Sequence, residues 1–148
     1  MATTPNSLVT AQTPYAAQAN FSAVTACTTR APTATAALAG ANIIALAPAS
    51  TDGLRVDFIK VKGSSNSFTA PTAAQTVTIW KHDGSIAYPI MEISVQLVTP
   101  STTTGSFEIT VPWVGSPLPL AYSLYASTSV TTVASTTAFI VHVEGGLL

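Results

Sequence analysis

Charge is what this sequence has least of. Of 148 residues, five are Lys or Arg and six are Asp or Glu, so charged side chains make up 7%, where an ordinary soluble domain carries about 25%. The hydrophobic share of 47% is ordinary, so the shortage belongs to the surface. Thr and Ala fill about a third of the positions, and the exterior must be tiled with hydroxyls, methyls and backbone instead of Lys and Glu. The five cations, Arg30, Arg55, Lys60, Lys62 and Lys81, nowhere interleave with aromatics as a phosphate-tracking groove would, which argues against nucleic acid as a partner. A net charge of −1 leaves little long-range field, and near-neutrality favours self-association or docking into a larger assembly.

Cysteine is as scarce. Cys27 stands alone, which excludes an internal disulfide, and it has no cationic neighbour in sequence nearer than Arg30 to make it reactive, so it reads as a small buried side chain. Mean hydropathy is +0.44, yet long apolar runs are missing. The nearest, Ala41 to Ala49, falls well short of the ~20 residues of a membrane-spanning helix. The start, Met1-Ala2-Thr3-Thr4-Pro5-Asn6, has neither the basic nor the apolar region of a secretory signal. These features lead us to expect cytoplasmic synthesis and no membrane partner.

Helix-period stripes are absent too, because Thr, Val, Ser, Pro and Gly recur too often. Only the short Ala-rich pieces Ala34 to Ala39 and Ala70 to Ala74 offer a turn of helix. What is present is alternation of period two. Phe107, Ile109, Val111 and Trp113 point one way while Glu108, Thr110 and Pro112 point the other. Ile93, Val95 and Leu97 alternate with Glu92, Ser94 and Gln96, and residues 100–105 are turn-rich, which predicts a hairpin between these two strands. A second hairpin is expected from Val77 and Ile79 through His82-Asp83-Gly84 to Ile86 and Tyr88. Leu54, Val56 and Phe58 alternate until Phe58-Ile59 breaks parity, which signals a bulge or bend. Ile43 to Leu46, Leu120 to Leu124 and Phe139 to Val143 are further strands, the last ended by Gly145-Gly146. Seven to nine short strands without βαβ spacing predict an all-β fold, an antiparallel β-sandwich or jelly roll over residues 21–148. Residues 1–20, with Pro5, Pro14 and scattered apolar groups, predict an extended N-terminal arm.

No catalytic, cofactor-binding or metal site is expected. His82 sits in a turn and His142 on the outer face of a strand, without triad partners, and there is no Gly-x-Ser-x-Gly elbow. The six carboxylates are scattered as solubility alone would scatter them. His82 and Asp83 make too few ligands for a metal, and Gly63-Ser64-Ser65-Asn66-Ser67 lacks the spacing and Lys of a phosphate loop. The chain is therefore expected not to be an enzyme. Interface candidates remain: Tyr15 in the arm, Phe21, the isolated Arg30, Trp80 and Tyr125, which breaks the parity of its strand. Before Asp52 the only charge is Arg30, so the first third is expected to be the assembly segment.

The stretch Gly115 to Gly146, GSPLPLAYSLYASTSVTTVASTTAFIVHVEGG, resembles the C-terminal part of many small phage structural proteins. Leu118-Pro119, the aromatic strand Tyr122 to Tyr125, the turn Ala126-Ser127-Thr128-Ser129 and the final strand Phe139 to Gly146 follow in that family's order, with Leu120-Ala121 where a Gly is more usual. The resemblance implies a jelly-roll decoration (cement) protein of a tailed bacteriophage. Such a protein sits on the capsid exterior of the virion as a homo-dimer or homo-trimer, its arm in lattice contacts, and clamps neighbouring major capsid protein subunits. The alternative is a carbohydrate-binding β-sandwich module of a phage fibre or tail, with Tyr125 or Trp80 stacking on a glycan.

Overall fold

A computed structural model describes residues 13–34, 42–47, 53–64, 73–113 and 117–147. These form nine strands: β1 Thr13–Phe21, β2 Thr33–Ala34, β3 Ile44–Ala47, β4 Leu54–Gly63, β5 Gln75–His82, β6 Ile86–Val95, β7 Glu108–Pro112, β8 Ser123–Thr128 and β9 Phe139–Leu147. The described residues contain no helix. Sheet A runs β1-β9-β4-β7 and sheet B runs β2-β6-β5-β8-β3, every neighbouring pair antiparallel. With the two-residue β2 set aside, the pairs nest: β1 with β9, β3 with β8, β4 with β7, β5 with β6. First-on-last nesting folded into two sheets is the jelly roll.

Alternation fills the gap between the sheets. Leu54, Val56, Ile59 and Val61 of β4 and Phe139, Val141 and Val143 of β9 face Val77 and Ile79 of β5, Ile93 and Val95 of β6 and Leu124 and Ala126 of β8, all buried in one cluster. The parity break expected at Phe58-Ile59 is a bulge one residue earlier. Val56 faces Gly145 and Phe58 faces Glu144, which leaves Asp57 as the extra residue. That bulge accounts for Gly145, because a Cβ there would collide with the Arg55 carbonyl. The Gly145-Gly146 pair therefore does not end the last strand. β9 continues to Leu147, and glycine is present where two backbones approach.

Three further expectations need correction. Residues 13–20 are not a free arm but most of β1, paired along its whole length with β9 from Thr13↔Leu147 to Phe21↔Phe139; residues 1–12 lie outside the described residues. The strands around Ile93 and Phe107 do not form a hairpin. Ser101 does close a turn, its amide donating to the Thr104 carbonyl and its hydroxyl accepting from the amides of Thr103 and Thr104, but β6 lies in sheet B and β7 in sheet A. The strand expected from Leu120 starts at Ser123, after a turn in which Ala121 has φ +67° and Leu120 is exposed. The β5–β6 hairpin stands as expected, with Gly84 at φ +97°. Of the two Ala-rich pieces, Ala34 is in β2 and Ala73-Ala74 precede β5; the rest lie outside the described residues.

Candidate functional site

The outer faces of the two sheets differ. That of sheet B is covered around Trp80 by the chain itself, while Ile90, Glu92 and Ser94 of β6 stay exposed. After β1 the backbone ties onto the end of β8: the Val24 amide donates to Thr132 Oγ1 and the Cys27 amide to the Thr128 carbonyl, each at 2.8–2.9 Å. Cys27 and Ile43 then cover Trp80, which is 0% exposed. The indole would strand its N–H there, and Nε1 instead donates to Ser127 Oγ at 2.8 Å. Arg30 latches the same segment to β6 through Glu92, 3.1 Å away.

The interface candidates are thus placed apart and put to different uses. Phe21 is 0% exposed and stacks on Phe139, so it is core, as is Trp80. Neither ring is open to a partner, because each packs against its own domain. Arg30 is exposed but paired. Tyr125 is half-buried beside Trp80, its cross-strand neighbour, and meets the His82 ring edge-on at 5.3 Å. Tyr15 lies on β1 opposite Gly145. Before Asp52, Phe21, Val24, Cys27, Ile43, Leu46 and Ala47 are buried, while Ala16, Gln18, Asn20, Thr25 and Thr28 are exposed and uncharged.

At the turn of the β5–β6 hairpin, Asp83 Oδ1 accepts from the amides of Ser85 and Ile86. Those two backbone donors hold its carboxyl below the ordinary value of 3.8. Burial, reinforced by the Asp83 charge, pushes the neighbouring Tyr88 phenol up. Lys81 Nζ sits 5.0 Å above the Tyr122 ring. His82 Nδ1 lies 3.4 Å from Ser123 Oγ, a long contact between cross-strand neighbours. It does not build a triad, since the adjacent carboxylate is committed to the turn.

The outer face of sheet A is open and holds Arg55, Asp57, Lys60, Lys62, Glu108 and Glu144, more than half of the chain's charged side chains. Register makes rows of them. Gln18, His142, Lys60 and Thr110 lie abreast on four strands, and Asn20, Ile140, Lys62 and Glu108 form the next row. Lys60 and Lys62 share Glu108 at 3.2 and 3.8 Å and Arg55 grips Asp57 through two nitrogens at 2.9 and 3.1 Å, while Glu144 makes a 2.8 Å hydrogen bond with His142 Nε2. Gln18, Lys60, Lys62, Glu108, Ile140 and His142 line a shallow depression of about 220 Å³. Alternation along β4, β7 and β9 shows that these side chains face outward. Their assembly into one patch was not readable, because it depends on pairing strands some 80 residues apart in sequence.

Among the described residues, no three metal-ligating side chains converge. No known family model matches the chain, and no curated protein resembles it significantly.

Proposed function

We propose that this chain is a virion structural protein that decorates a tailed-phage capsid, docking on the major capsid protein at the particle's exterior. The observation that carries the reading is the outer face of sheet A, a jelly-roll face on which three cations, Arg55, Lys60 and Lys62, balance three carboxylates, Asp57, Glu108 and Glu144. Covering a lone charge strands it without a partner, whereas a face of pre-formed pairs can be covered with little left uncompensated. Many copies on one particle make the contact multivalent, so a modest interface per copy stabilises a whole shell. Glu108→Gln tests the reading, because it leaves Lys60 and Lys62 without their shared carboxylate. Docking on purified capsids weakens while the thermal midpoint holds; unchanged docking contradicts the role given to this face.

A second reading, glycan binding by a jelly-roll module, draws on the group Lys81, Asp83, Tyr88 and Tyr122 at the hairpin end, not on the buried Trp80. It predicts glycan-array signals that Tyr122→Ala abolishes. An array without signals removes it.

A further inference from the structure

We infer that the free edge of β7 is a self-association surface on which a second copy of this chain pairs antiparallel about a twofold axis through Thr110. Among the described residues β7 is the outermost strand of sheet A, paired only with β4. The parity of its hydrogen bonds follows from two contacts that flank the strand. The Trp113 amide donates to the Asp57 carbonyl and the Gly63 amide to the Phe107 carbonyl. In an antiparallel ladder every second residue bonds the partner, so Phe107, Ile109, Val111 and Trp113 turn their backbone groups toward β4. Glu108, Thr110 and Pro112 turn theirs away, to the free edge.

That edge offers two amide donors, Glu108 and Thr110, and three carbonyls, with no donor on Pro112. Proline and charge on an edge strand ordinarily discourage pairing, and here they select one register. Centred on Thr110, a twofold pair exchanges two Thr110 bonds and places each Glu108 amide against the Pro112 carbonyl of the second copy. Both outward donors are then satisfied. The proline ring, which lacks only a donor, stands opposite Glu108, so like charges do not meet. Centring on Glu108 sets two carboxylates face to face, centring on Ile109 satisfies both donors but makes the two Glu108 side chains diagonal neighbours on one face, and centring on Pro112 puts two residues without a donor on the axis. Glu108 is further neutralised by Lys60 and Lys62 of its own chain. On the inner side, half-buried Ile109 and Val111 meet as a close cross-strand pair between copies. The product is one continuous eight-stranded sheet whose outer face doubles that of sheet A.

The inference does not depend on the capsid reading, since it concerns the purified chain alone. Sedimentation equilibrium of the full chain is expected to give a dimer of the 15.1 kDa subunit. Thr110→Pro removes a donor that β4 does not use, and so weakens association at least ~tenfold while preserving the fold. Should the proline disturb the strand, Thr110→Lys decides, as it sets like charges across the axis on an exposed position. Amide exchange gives a signature no other interface shares: Glu108 and Thr110 are protected at high concentration and lose protection on dilution, while Ile109 and Val111 stay protected throughout. A wild-type monomer, a trimer, or a dimer that survives both substitutions overturns the inference.

Discussion

Phe21 stacks on Phe139 with ring centroids 4.5 Å apart and planes 8° from parallel, joining the first strand of the jelly roll to its last across the closing row of their ladder. Both rings are 0% exposed. Phe21→Ala is expected to destabilise the fold by about 3–5 kcal/mol, read as a lowered midpoint in chemical denaturation. A double-mutant cycle with Phe139→Ala should return a coupling of about 0.5–1.5 kcal/mol. Loss of less than about 1 kcal/mol for Phe21→Ala would mean that β1 detaches readily, as a free arm does.

Trp80 and Ser127 are each other's buried hydrogen-bond partners. Ser127→Ala leaves the indole N–H without an acceptor and is expected to cost about 1–3 kcal/mol, more than the loss of one hydroxyl from a surface. Trp80 is sealed while Trp113 is half-buried. Quenching of Trp113→Phe by acrylamide should therefore be weak, and that of Trp80→Phe stronger. The opposite order contradicts the cover over Trp80 on the outer face of sheet B.

Gly145 faces the Arg55 carbonyl so closely that any side chain collides with backbone. Gly145→Ala is expected to destabilise by at least about 1–3 kcal/mol, whereas Gly84→Ala, which meets open space but has φ +97°, should cost about 1 kcal/mol through backbone strain alone. Thermal midpoints of the two variants, measured side by side, separate steric from conformational demand.

Asp83 contributes a pH-dependent part of stability. Its folded carboxyl titrates below the ordinary 3.8 because the Ile86 and Ser85 amides favour the anion. The contribution is therefore present above the unfolded value and is lost as pH falls through the folded one. The stability difference between wild type and Asp83→Ala should be constant above pH 3.8 and shrink below it. A difference that grows on acidification contradicts this assignment.

The sequence made particular elements legible for local reasons. The Asp83-Gly84 hairpin was readable because its turn chemistry and both strands are contiguous, and the β4 bulge because parity breaks within three residues. The β6–β7 crossing was not readable, since a Ser-Thr-Gly turn serves a hairpin and a change of sheet equally well. Trp80 pointed to the surface because it alternates outward on β5, and only the packing of Cys27 and Ile43 over that face, unsigned by any local pattern, makes it core. The sheet A patch was visible residue by residue but not as a site, because strand order decides which outward side chains become neighbours.

The most direct test of the proposed decoration role is absolute quantification of the chain, relative to the major capsid protein, in purified particles of the phage that this reading requires as its source. The account predicts a fixed ratio set by the shell lattice, and depletion of the chain from particles carrying Glu108→Gln. Absence from virions, or a handful of copies per particle, contradicts it.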